Sequence, residues 1–205
     1  AENSGVIVNV TDVNESPVFT SSASFNVEEN QTAIGSVSAT DPESETLIFA
    51  VSGSNLAIDK SSGVLTFVTA PDFETQAAYT ATVTASDGEN TTTQVVNINV
   101  TDVNEAPTIT SSASFSVEEN QTAIGTVTAT DPESETLIFA VSNNPYDETD
   151  LAIDSSSGVL TFVTAPDFET TDRYYSIVTV SDGTFETEQL IICLLYTSPS
   201  PRDLY

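Results

Sequence analysis

Apolar and polar side chains alternate one for one along much of this chain. Tyr79, Ala81, Val83 and Ala85 interleave with Thr80, Thr82 and Thr84, and Val96, Ile98 and Val100 interleave with Asn97 and Asn99. Successive side chains of a strand point to opposite faces, so a period of two predicts strands with one face on a core and one in water. Asp41-Pro42, Ser62-Gly63, Ala70-Pro71 and Asp87-Gly88 punctuate short runs rich in Val, Ile, Thr and Phe, as turn residues do between strands. Strands are expected near 18–28, 35–40, 46–52, 56–58, 64–68, 78–85 and 92–101. No segment carries a helical period.

The pattern occurs twice. Residues 11–52 return at 101–142 with 36 of 42 positions identical, and LAIDKSSGVLTFVTAPDFET at 56–75 returns almost unchanged at 151–170. The offset grows from 90 to 95, so the second copy carries a five-residue insertion in SNNPYDETD at 142–150, read as a longer surface loop,. About seven short strands in a unit of roughly 90 residues predict an all-β chain of tandem seven-stranded Greek-key β-sandwiches. GVIVNVTDVNE at 5–15 aligns with VVNINVTDVNE at 95–105. Residues 1–15 are therefore expected to be the last strand and linker of a preceding repeat, 16–105 one repeat with its linker, and 106–192 a second repeat.

The C-terminus breaks the register. Residues 190–205 should resemble 95–110, yet after Ile192 the chain reads CLLYTSPSPRDLY, and Leu194 stands where Asn99 predicts an outward polar residue. The string also resembles an in-frame translation of a transposon-end adapter used in sequencing libraries. Residues 193–205 are expected to be a non-native tail that leaves the last strand half formed and an apolar patch exposed.

Composition narrows the function. The chain has 31 Asp and Glu against 3 Lys and Arg, no His, and a net charge of −28. Phosphate backbones and anionic lipid need basic residues, so nucleic acid is excluded as a partner and docking on a membrane is not expected. Without His, and with Cys only at 193, the usual general bases, thiol nucleophiles and His-built zinc sites are missing, whereas hard cations with oxygen ligands remain open. No run of apolar residues reaches the roughly 18–20 that a membrane helix requires. No enzyme is expected. Carboxylate pairs such as Asp72 with Glu74, or Asp41 with Glu43, could serve glycoside hydrolysis, but they read better as ligands or turn residues.

The acids fall into five short motifs, in one order in both repeats: DVNE with Asp102, Asn104 and Glu105; VEEN with Glu29 and Glu119; ATDPE with Asp41, Glu43, Asp131 and Glu133; PDFE with Asp72, Glu74, Asp167 and Glu169; and SDG with Asp87 and Asp182. A solvated acidic surface is the competing reading of these residues. With these motifs, residues 1–192 resemble the cadherin family, bacterial cadherin-like repeats above all. The resemblance implies calcium bound at the linker between successive repeats, which stiffens an extracellular or surface-anchored protein and supports cell adhesion, homophilic adhesion included. It assigns Glu29, Asp72, Glu74, Asp102, Asn104, Glu105, Asp131, Glu133 and Asp182 to one interdomain site. It assigns Asp12, Asn14, Glu15, Asp41, Glu43, Asp87, Glu119, Asp167 and Glu169 to weaker half-sites. DVNEAP is one residue shorter than the family linker and lacks its second Asn, which puts at least one of the family's three ions in doubt. Implied partners are calcium, neighbouring repeats, and other cell-surface proteins or glycans. The alternative is a metal-independent spacer or a carbohydrate-facing accessory module of a secreted protein.

Overall fold

The computed structural model describes residue 9, residue 11, residues 13–142 and residues 150–197. The expected N-terminal strand and the 143–149 part of the insertion lie outside them. The chain divides into two units, Ala1–Val103 and Asn104–Tyr205. All regular structure among the described residues is strand.

The first unit contains β1 (Val18–Phe19), β2 (Ser24–Glu28), β3 (Ala33–Ser36), β4 (Ala39–Thr40), β5 (Ile48–Val51), β6 (Leu56–Ile58), β7 (Val64–Phe67), β8 (Ala78–Ser86) and β9 (Thr91–Thr101). One sheet has the order β2-β9-β8-β5 and the other β3-β7-β6, while β1 pairs with β4. Neither the expected strand over 18–28 nor that over 35–40 is continuous. Each splits in two because the chain changes partner midway: β1 runs antiparallel to β4, then β2 runs parallel to β9. Ser22 makes the break, its Oγ accepting the Ser24 N–H at 3.0 Å. Strand β3 is bulged between Ala33 and Gly35 against β7.

The alternating residues meet between the sheets. Val27, Val37, Phe49, Leu56, Leu65, Phe67, Val83, Val96, Ile98 and Val100 form the core, and Phe67 meets Tyr79 edge to face at 4.9 Å. Gly63 sits where no side chain fits: its φ is +70°, and a Cβ there would lie 2.3 Å from the Val37 carbonyl oxygen. The approach lets the Val37 N–H donate to the Gly63 carbonyl at 2.9 Å.

The second unit repeats this plan with β10 (Thr108–Ile109), β11 (Ser114–Glu118), β12 (Ala123–Thr126), β13 (Ala129–Thr130), β14 (Ile138–Ser142), β15 (Leu151–Ile153), β16 (Val159–Phe162), β17 (Arg173–Ser181) and β18 (Glu186–Tyr196). Its sheets are β11-β18-β17-β14 and β12-β16-β15. The expected half-formed last strand is not what the structure has. Strand β18 runs to Tyr196, with Phe115 opposite Cys193 and Val117 opposite Leu195, and both Cys193 and Leu195 are buried in the second core. Alternation explains this, because Ile191, Cys193 and Leu195 stand where Val96, Ile98 and Val100 stand in the first repeat,. Leu194 and Tyr196 are outward and exposed, as the broken pattern predicts.

Candidate metal centre

Glu29 organises one end of the first unit. It follows β2 directly and is only 3% exposed. Its Oε2 accepts the Phe73 N–H at 2.7 Å and its Oε1 the Val103 N–H at 2.8 Å. Next to it, Asn30 adopts a left-handed φ of 61° and donates its N–H to the Pro71 carbonyl at 3.0 Å. The VEEN turn is thereby fastened to PDFE and to the start of the linker. Glu29, Glu74 and Asp102 each present a carboxylate oxygen within 4.8 Å of the others. Three formal negative charges at that spacing repel strongly unless a cation or protons intervene.

Asp72 is not part of that group. Its Oδ1 accepts the Thr75 N–H at 3.0 Å and its Oδ2 the Thr75 hydroxyl at 2.9 Å, so this carboxylate caps the turn before β8. At the matching end of the second unit, Glu119, Asp167 and Glu169 converge within the same 4.8 Å. Glu119 Oε2 accepts the Phe168 N–H at 3.2 Å. The Thr170 hydroxyl, and after it the Glu169 carboxyl, hold Asp167 below the usual carboxylate range, while the neighbouring Asp167 carboxyl pushes Glu169 above it.

The opposite end of each unit carries the other motifs. In the first unit the Asn14 amide donates to Asp87 Oδ2 at 3.1 Å, and the Glu15 N–H donates to Glu43 Oε2 at 3.3 Å. In the second unit Asn104 donates to Asp182 Oδ2 at 2.9 Å, and the Glu105 N–H donates to Glu133 Oε2 at 3.3 Å. Asp12 lies outside the described residues. Burial opposes ionisation of Asp87 and Asp182. Backbone N–H groups of the SDG turn and the Asn amide outweigh it, and both carboxyls sit below their ordinary value. Glu43 is lowered by the hydrogen bond it shares with the Glu15 side chain. Glu45 is raised by burial and by the charges of Asp87, Asp41 and Glu43.

The ATDPE aspartates have one oxygen committed and one not. Asp41 Oδ1 accepts the Glu43 N–H at 3.0 Å, and Asp131 Oδ1 accepts the Glu135 N–H at 3.2 Å. Asp41 Oδ2, Asp131 Oδ2, Glu133 Oε1 and Asn14 Oδ1 are buried without a hydrogen-bond partner among the described residues. A buried carboxylate oxygen needs a donor or a cation. These are hard oxygen donors converging in small groups, and that donor set fits calcium.

Sequence reasoning missed Asn90, whose amide donates to the Asn14 carbonyl at 3.1 Å, and Thr187, whose hydroxyl donates to the Pro107 carbonyl at 2.6 Å. No repetition signalled Asn90, because the second repeat has Phe185 in its place.

The bacterial Ig domain model matches residues 14–99 and again residues 104–192. The chain belongs to the bacterial Ig domain family. Within the set of curated relatives, Cadherin-23 of Homo sapiens is 32% identical to this tandem bacterial Ig chain over 186 residues, which is 83% of the chain and 6% of that protein. Chitinase A of Pseudoalteromonas piscicida is 33% identical over 130 residues, covering 62% of the chain and 16% of the enzyme. The chain thus spans less than a fifth of either relative. Human protocadherin-24 EC1-2 (form II) superposes with a TM-score of 0.65 at 17% identity, over 89% of this chain and 99% of that one. This bacterial Ig pair is a cadherin-like tandem repeat protein with the all-β sandwich fold.

Proposed function

We propose that the acidic ends of these repeats bind calcium, and that calcium orders the short linker joining one repeat to the next in an extracellular or cell-surface protein. The reading rests above all on the convergence of Glu29, Glu74 and Asp102 within 4.8 Å. Asp102, with Asn104 and Glu105, belongs to the DVNEAP stretch where the units divide. Calcium takes six to eight oxygens at about 2.3–2.6 Å, so carboxylates, carbonyls and water together make up a site. Asp41 Oδ2 and Asp131 Oδ2 supply further oxygens of the same type. Without the cation the clustered charges push apart and the linker loosens; with it each carboxylate is drawn to the ion, coupling binding to order. Asp72 caps the turn that carries Glu74, through the Thr75 N–H and hydroxyl. The chain's role is mechanical and adhesive rather than enzymatic, and its cadherin relatives point to neighbouring repeats and cell-surface proteins as partners.

Calorimetric titration of the full chain with calcium, against a chelator-treated control, tests the reading. Saturable binding with a raised Tm is expected, reduced strongly in Asp102→Ala/Glu105→Ala. No heat and no Tm shift at millimolar calcium would overturn it.

A second reading has one observation in its favour, the match to Chitinase A. In it the repeats are an accessory module of a secreted enzyme and face its polysaccharide.

A further inference from the structure

The two repeats share their acidic motifs and diverge along their last two strands, where one outward surface changes character. The outward face of β8 and β9 in the first unit presents Thr80, Thr82, Val95 and Asn97. At the same positions β17 and β18 present Tyr175, Ile177, Leu190 and Ile192. These four are cross-strand partners in pairs, Tyr175 opposite Ile192 and Ile177 opposite Leu190, so they form one contiguous block. Tyr175 is 41% exposed and Leu190 48%. Leu194 and Tyr196 prolong the stripe, but all four residues of the block precede the divergent C-terminal string.

We propose that this block is a docking face for a neutral polysaccharide of the flat, β-linked hexose class. The proposal rests on the accessory-module reading and gives it a surface and a ligand. Two observations select the occupant. The block itself carries no charge, although the chain carries −28; a second copy would bring like charge against like charge, and an anionic polymer would be repelled. Its exposed apolar area, on the order of 200–300 Å² for two large and two half-buried side chains, falls far short of the ~800 Å² per partner typical of stable protein pairs. It suits a few sugar rings lying on their C–H faces across Tyr175, with hydroxyls left to water.

The test is depletion of the full chain from solution by insoluble chitin and by cellulose. Retention is expected for the natural chain, with at least tenfold weaker retention for Tyr175→Thr/Ile177→Thr/Leu190→Val/Ile192→Asn. Those replacements are the residues the first unit carries at the same places, so folding should persist, as a melting curve will check. Tyr175→Thr alone should give an intermediate loss. Adding Thr80→Tyr, Thr82→Ile, Val95→Leu and Asn97→Ile to the fourfold variant should restore retention from the first unit. Undiminished retention of the fourfold variant overturns the docking face and leaves the accessory reading standing. No retention of the natural chain on either polymer overturns both. Concentration-dependent sedimentation that the fourfold variant abolishes assigns the face to a second copy and overturns the proposal.

Discussion

Glu29 Oε1 lies 2.8 Å from the backbone nitrogen of Val103, tying the turn after β2 to the last residue of the first unit. The other oxygen of the same carboxylate holds Phe73, so one buried side chain positions three distant segments of the acidic end.

Removing that carboxylate should therefore destabilise the unit even without metal. Glu29→Ala leaves two backbone N–H groups without their acceptor, at about 1–3 kcal/mol each, partly offset by relief of repulsion from Glu74 and Asp102. A net loss of about 2–4 kcal/mol is expected in urea unfolding with chelator present. Glu29→Gln keeps an acceptor oxygen and should cost less, yet both variants should lose calcium affinity. Equal stability of Ala and Gln variants would contradict the two-bond role.

Gly63→Ala should destabilise the first unit, and Gly158→Ala the second. Each places a Cβ 2.2–2.3 Å from a carbonyl oxygen at a positive φ. Left-handed backbone strain plus displacement of the Val37 or Val127 hydrogen bond sums to about 3 kcal/mol. Unfolding followed by hydrogen exchange should show the loss confined to the substituted unit.

The turn after β15 gives a pH dependence. Asp154 Oδ1 accepts the hydroxyls of Ser156 and Ser157 and both of their N–H groups, which together hold its carboxyl well below the ordinary 3.8. A lowered folded-state value means that the turn's contribution is fully present above pH 3.8 and fades as the pH falls toward the folded value. Asp59 does the same in the first unit, through Ser62 and Ser61. Melting the chain at pH 5 and at successively lower pH should show stability declining; in Asp154→Asn that decline should be smaller.

Ending the chain at Ile192 should destabilise the second unit by at least about 3 kcal/mol, since it removes buried Cys193 and Leu195,. An unchanged melting curve would mean that the last four residues of β18 contribute nothing to the core.

Much of the fold was legible because alternation reports burial directly. Strands β5 to β9 lie within about two residues of the expected spans, and the buried series Val96, Ile98 and Val100 is the one the sequence displays. Alternation says nothing about which neighbour a strand pairs with. A run such as Val18–Glu28 keeps its apolar rhythm while crossing from one sheet to the other, and the parallel pairing of β2 with β9 was hidden for the same reason. The acidic motifs were legible because each occurs twice. Their geometry was not: Asp72 and its counterpart Asp167 both accept a hydroxyl from the threonine three residues on, yet only Asp167 stands in a carboxylate cluster.

The parallel pairing of β2 with β9 also sets how a unit meets force. Strand β2 lies near the N-terminal end of its unit and β9 near the C-terminal end, and they run side by side in the same direction over five residue pairs. Tension applied to the two termini pulls these strands past one another along their length, so their hydrogen bonds are loaded together in shear instead of opening one after another. The same clamp recurs between β11 and β18. Each repeat should therefore resist stretching most strongly at its parallel pair, β2 with β9 or β11 with β18.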